Sequence, residues 1–157
     1  MQATHEHWMQ RALQLAQKAA DEDEIPVGAI IVKDNKIIAE GWNQPIQNHD
    51  PSAHAEMAAI RNAGKILKNY RLIDTTMYVT LEPCSMCVGA IIHARVGQLV
   101  FAASDLKTGA TGGAINLIHN DIHNHKVEVI GGVMEIECKK LLQSFFKQKR
   151  QNKKNEK

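Results

Sequence analysis

The sequence predicts an α/β fold, a central mixed five-stranded sheet with helices on both faces. Two observations carry that prediction. Five short segments rich in β-branched residues are interleaved with segments whose apolar residues recur at helical spacing. The 157 residues also contain no internal repeat and no linker long enough to divide them. A chain of this length is one ordinary domain, able to bury roughly 70% of its unfolded surface without disulfide staples. The expected boundaries are a single domain over residues 1–150 and a basic, disordered tail over 151–157.

The elements follow in chain order. In HEHWMQRALQLAQKAADED, residues Trp8, Ala12, Leu15, Ala16 and Ala19 share one helical face. VGAIIVKDNKIIAEGWN reads as a β-hairpin around Asp34-Asn35-Lys36. HAEMAAIRNAGKILKN, just after Pro51 and Ser52, is alanine-rich and helical. TMYVTLE is a strand, and CSMCVGAIIHAR is a helix with Pro83 at its first helical position. GQLVFAA is a strand and DLKTGATGGA a glycine-rich loop. KVEVIGG makes the last strand, and MEIECKKLLQSFFKQKR closes as a helix with Met134, Cys138, Leu141, Leu142 and Phe145 on one stripe.

Composition narrows the class. Hydrophobic residues make up 44% of the chain, and no apolar run approaches the roughly 20 residues of a membrane span. MQATHEHWMQ lacks the apolar segment of a secretion signal, and three cysteines suit a reducing compartment. The expectation is a soluble, cytoplasmic protein with no membrane partner. The net charge of +2 is unevenly spread, because residues 139–157 hold eight bases and one acid. Such a segment is either a solvated helix end or an arm that binds phosphates.

The chemistry centres on TLEPCSMCVGA. Cys84 and Cys87 are three residues apart at the start of a helix, on one face, where free N–H groups and the positive dipole end favour thiolates. On its own a CxxC is either a redox dithiol or one limb of a zinc site. Redox chemistry explains nothing else in the chain, and the third cysteine, Cys138, belongs to a packing stripe.

The candidate third ligand is His54 in PSAHAEMAAI, with Glu56 two residues on. In mid-helix these side chains would diverge by about 200°, whereas at a helix start they can converge. One histidine and two thiolates leave a fourth metal position open for water, with a carboxylate beside it, which is a catalytic rather than a structural arrangement. A metal there makes hydroxide available near neutral pH, and Glu56 can shuttle the proton. The chemistry this suits is hydrolytic attack on an amidine-like carbon with loss of ammonia.

HAE followed by PCSMC resembles the zinc-dependent cytidine and nucleotide deaminase superfamily, whose pattern is H-x-E…P-C-x-x-C. Within it, IPVGAIIV, GWN, HDPSAHAE, NYRLIDTTMYVTLEPCSMCVGA, DLKTGATGG, NHKVEV and LLQSFFKQKR resemble segments of the bacterial tRNA-specific adenosine deaminases, covering most of residues 5–150. The resemblance implies a three-layer cytidine-deaminase-like fold. It implies one zinc ion per subunit on His54, Cys84 and Cys87, with Glu56 as the proton shuttle. The expected reaction is deamination of adenosine to inosine at the wobble position of an arginine tRNA, with the anticodon stem-loop as partner.

By the same resemblance, Asn43 contacts the flipped nucleoside, and Asp105 and Lys107 contact the anticodon loop. Phe145, Phe146 and Arg150 would stack on and clamp neighbouring bases, Phe145 packing inward while Phe146 faces the RNA. A homodimer is implied in the same way. Two departures stand out, Ala102 where glycine is usual and Gly113 where serine is common. HNDIHNH, with His119, Asp121, His123 and His125, reads as a polar loop. The alternatives are a deaminase of free guanine or cytosine, and a non-catalytic zinc-stabilised RNA-binding module.

Overall fold

In a computed structural model describing residues 2–156, the helical periodicity of the first segment becomes α1 (His5–Asp21). The Thr4 hydroxyl caps it by accepting the His7 N–H at 3.1 Å. Met1 and Lys157, the outer ends of the expected domain and tail, lie outside the described residues. The hairpin forms from β1 (Gly28–Lys33) and β2 (Lys36–Trp42). Its loop is two residues, Asp34 and Asn35, with φ of 52° and 59°. That pair of left-handed residues is the tight turn matching strand twist, so Lys36, expected in the turn, instead begins β2 opposite Lys33.

The remaining elements are a short α2 (Pro45–Asn48), α3 (Ala55–Leu67), β3 (Thr76–Leu81), α4 (Ser85–His93), β4 (Gln98–Ala103), β5 (Glu128–Ile130) and α5 (Glu135–Asn155). The sheet order is β2-β1-β3-β4-β5. β1 pairs antiparallel with both β2 and β3, whereas β3, β4 and β5 are parallel, so the sheet is mixed as expected.

Alternation along the strands divides the core between two faces. Ile30, Val32, Tyr78, Val100 and Ala102 pack with Trp8, Met9 and Leu15 of α1 and Cys138 of α5. Ala29, Ile31, Met77, Val79 and Leu99 pack with Ala55, Ala59 and Ala63 of α3 and Val88 and Ile91 of α4. Cys138 is thus a core residue. Alanines on α3 let that helix lie close to the sheet, and Gly41 of β2 is needed there, because a Cβ on it would sit 2.4 Å from the Ala55 carbonyl oxygen.

Two further features differ from the sequence reading. α2 arises where none was predicted, with the buried Glu24 carboxylate accepting the Ile46 and Gln47 N–H groups at 3.2 and 2.9 Å. The disorder expected from residue 151 gives way to helix, since α5 runs on to Asn155. Lysine and glutamine are good helix formers, the Gln148 amide donates to Asn152 one turn on, and Lys153 and Lys154 lie at the favourable negative end of the helix dipole.

Candidate active site

β2 and β3 are both antiparallel to β1, and β4 is parallel to β3, so all three end on the same edge of the sheet. The segments that follow them therefore meet: the start of α3, the start of α4, and the loop after Ala103. His54 is the N-cap of α3 and Cys84 the N-cap of α4, each with extended backbone. Pro83, expected as the first helical residue, precedes the cap of α4. Neither N-cap side chain caps its own helix, which leaves the imidazole and the thiol free to face inward. The extended backbone at His54 removes the divergence that helical geometry would impose on His54 and Glu56.

His54 Nδ1 lies 3.7 Å from Cys84 Sγ and 3.5 Å from Cys87 Sγ. Among the described residues this trio can hold a metal ion, its ligand atoms all lying within 4.8 Å of one another. Zinc–sulfur bonds of about 2.3 Å and zinc–nitrogen bonds of about 2.0 Å at the tetrahedral angle place nitrogen and sulfur roughly 3.5 Å apart. The two nitrogen–sulfur separations are close to what such a site needs. Hydrogen bonding from Cys87 and then from His54 holds the Cys84 thiol below its ordinary range. The His54 imidazole is raised, chiefly by its bond with Cys84.

Glu56 stands in the first turn of α3 and is 4% exposed. Burial pushes its carboxyl above the usual carboxylate range. A buried carboxyl beside a metal-ligand set can both take and return a proton.

Above these groups opens a cleft of ≈ 560 Å³, within the usual size of a small-molecule site. Asn43, His54, Glu56 and Cys84 line its floor, with Cys87 fully buried beneath. The loop residues Asp105 and Lys107 line one wall, and Leu142 and Phe146, one turn apart on α5, line another.

The residues singled out in the sequence therefore gather in one region. Asn43 Oδ1 accepts the Ala55 N–H at 2.8 Å, so its carboxamide caps α3 while facing the cleft. The Asp105 carboxylate closes its own loop, accepting the Lys107 and Thr108 N–H groups at 3.0 Å and the Thr108 hydroxyl at 2.8 Å. Phe145 is half-buried and Phe146 42% exposed, their rings edge-on at 5.6 Å. Phe145 lies on an adjoining depression that also touches Asn43 and Phe146, and Arg150 borders a shallow groove with Lys107 and Phe146. Lys149 pairs with Asp23, tying α5 to the turn after α1. His125 of the polar loop donates from Nε2 to the Val96 carbonyl at 2.7 Å.

Sequence reasoning missed Glu82. Burial opposes its charge, but the Asp105, Gly113 and Thr111 N–H groups and the Thr111 hydroxyl outweigh burial and hold the carboxyl below the usual carboxylate range. The available signal was an acid continuing an apolar strand, TMYVTLE, directly before Pro83.

The sequence profile of the MafB19-like deaminases matches residues 3–150. The chain is 52% identical over 153 residues to the tRNA-specific adenosine deaminase of Haemophilus influenzae, covering 97% of this chain and 88% of the relative. It is 43% identical to that of Bacillus subtilis, covering 95% and 92%. A solved structure from work on A-to-I editing by tRNA:A34 deaminases superposes with a TM-score of 0.84 at 39% identity, covering 87% of this chain and 99% of that one. A guanine deaminase from Bacillus subtilis gives a TM-score of 0.63 at 44% identity, covering 71% and 69%. The five-stranded mixed sheet with helices on both faces is thus the cytidine-deaminase-like fold. With that fold, a His-Cys-Cys donor set at its edge and near-full-length likeness to these relatives, the chain belongs to the deaminase family, among the tRNA-specific adenosine deaminases.

Proposed function

We propose that this protein hydrolytically deaminates adenosine to inosine at the wobble position of a tRNA anticodon, with an arginine tRNA as substrate. The observation that carries the reading is the convergence of His54, Cys84 and Cys87 beside buried Glu56, at the floor of a cleft walled by an aromatic and basic helix. His54, Cys84 and Cys87 would hold one zinc ion per subunit. Bound there, zinc supplies Lewis-acid activation of water, bringing its pKa down toward about 7.

The chain's own residues do the rest. Glu56 takes a proton from the attacking water and delivers it to the purine ring nitrogen. A further proton passes through Glu56 to the departing amino group as the C6–N bond breaks, so that water and adenosine become inosine and ammonia. Such a shuttle typically contributes about 100- to 10,000-fold in rate. Asn43 holds α3 in place through Ala55 and presents its carboxamide to the nucleoside.

Around the target, Asp105 shapes the loop that carries Lys107 to the anticodon. Phe146 offers an exposed ring for stacking, supported by Phe145, and Arg150 and Lys107 offer charge to the backbone. We place the enzyme in the cytoplasm, where its tRNA substrate is, and as a homodimer. No helix among the described residues is long and apolar enough to cross a membrane. Sedimentation of the active enzyme at the mass of two chains supports the dimer, and an active monomer removes it.

The guanine deaminase likeness favours a second reading, a free nucleobase as substrate. One experiment separates them. The purified protein is incubated with arginine tRNA, and sequencing reads A-to-G change at the wobble position, while ammonia release is followed from free guanine, cytosine and adenosine. Change at the wobble position is the expected result, and turnover confined to a free base would defeat the proposal.

A further inference from the structure

The loop after β4 is wrapped around one buried carboxylate. Glu82, 3% exposed, accepts the Asp105 N–H on Oε1 at 2.9 Å. On Oε2 it accepts the Thr111 N–H and hydroxyl, both at 2.9 Å, and the Gly113 N–H at 2.8 Å. The neighbouring Pro83 carbonyl accepts the Ala110 N–H at 2.9 Å. The fit is close enough that a Cβ on Gly109 would lie 2.4 Å from Glu82 Cδ, and one on Gly113 2.4 Å from Oε1.

Four donors converging on one group demand an acceptor with no hydrogens of its own, which among side chains only an ionised carboxylate provides so fully. Both oxygens are thereby committed to the loop. The same loop carries Ser104, Leu106 and Lys107 along the cleft, and Glu82 is two residues from Cys84. A substrate wall is thus pinned to the start of the helix that carries the two thiols.

We propose that Glu82 is a positioning residue for the polynucleotide substrate, setting the 104–113 loop against the cleft so that the nucleotides beside the target meet a fixed wall. The proposal rests on the tRNA-deaminase reading above. Glu82 itself performs no proton transfer, and Thr111, Gly109 and Gly113 are its partners in shaping the loop.

The test uses the full chain loaded with zinc. In Glu82→Gln, whichever way the amide turns, an NH2 group faces at least one N–H donor. The KM for an anticodon stem-loop should then rise about tenfold or more, with kcat changing far less and zinc content unchanged. Hydrogen exchange should quicken at the amides of residues 105, 111 and 113 and stay unchanged along α4. Thr111→Val, which removes only the hydroxyl donor, should raise KM in the same direction by a smaller factor. The proposal is overturned if KM is unchanged in both variants. It is overturned equally if kcat and zinc content fall together in Glu82→Gln, since the carboxylate would then serve the thiol-bearing helix. Should Glu82→Gln fail to fold, an unchanged KM in Thr111→Val overturns it. If the wild-type chain makes no inosine in the stem-loop, the functional reading fails, and the exchange pattern still decides whether Glu82 holds the loop.

Discussion

Asn43 Oδ1, at the end of the hairpin, accepts the Ala55 N–H at 2.8 Å and so caps α3 from outside that helix. The cap fixes the helix that carries His54 and Glu56, and it lies on the cleft. Asn43→Ala should lower stability by about 1–2 kcal/mol, the usual cost of a lost helix cap, and should also slow inosine formation. Asn43→Asp keeps the acceptor and should recover most of the stability. Urea denaturation of the three proteins checks this, and equal midpoints for Ala and wild type would contradict the capping role.

Cys84 is one of two sulfurs in a three-donor set, so Cys84→Ala should lose both metal and activity. The fall in rate should exceed the roughly 10- to 100-fold that loss of an outer hydrogen-bond partner of a metal ligand costs. Elemental analysis beside an inosine assay makes the check. Full zinc content in the variant would remove Cys84 from the donor set.

Phe146 is the exposed member of the aromatic pair on α5, and it faces the cleft. Phe146→Ala should weaken stem-loop binding by about 1–3 kcal/mol, the scale of base stacking on an aromatic ring. Truncation after Phe145 removes the ring together with most of the basic turns, and should also flatten the dependence of affinity on salt. Zinc content should stay constant in both. Binding titrations at two salt concentrations measure these effects, and equal affinity before and after truncation would exclude a clamp.

The lesson for reading the sequence lies in which signals are local. His54, Glu56, Cys84 and Cys87 are legible because each pair lies within three residues at a helix start, where the non-helical backbone of the N-cap lets side chains converge that helical spacing alone would separate. The two core faces are legible because Ile30, Val32 and Tyr78 alternate with Ala29, Ile31 and Met77. Glu82 and Glu24 are not, because their partners lie 22 to 31 residues away and a buried acid is recognisable only once its donors are placed. The end of α5 is misjudged for a different reason, since a lysine-rich run has the composition of a solvated tail and the propensity of a helix.

Arg11 and Glu40 make a two-pronged pair joining α1 to β2, with contacts of 2.5 and 2.9 Å. The bond to Arg11 holds the Glu40 carboxyl below the usual carboxylate range. A lowered folded value means that the stabilisation is present above the unfolded carboxyl's range and is lost as pH falls through the folded one. Because the pair is partly exposed, Arg11→Gln should cost less than about 1 kcal/mol at pH 7. The gap to wild type should narrow below about pH 4 as Glu40 protonates. Urea midpoints at pH 7 and pH 3 measure it, and a gap that widens at pH 3 would contradict the pairing.

The most direct test of the central claim is the single-turnover rate of Glu56→Ala on an anticodon stem-loop, with bound zinc measured in the same sample. If Glu56 moves the proton, the variant keeps its zinc and forms inosine at least about 100-fold more slowly than wild type. An undiminished rate with zinc in place would contradict the mechanism.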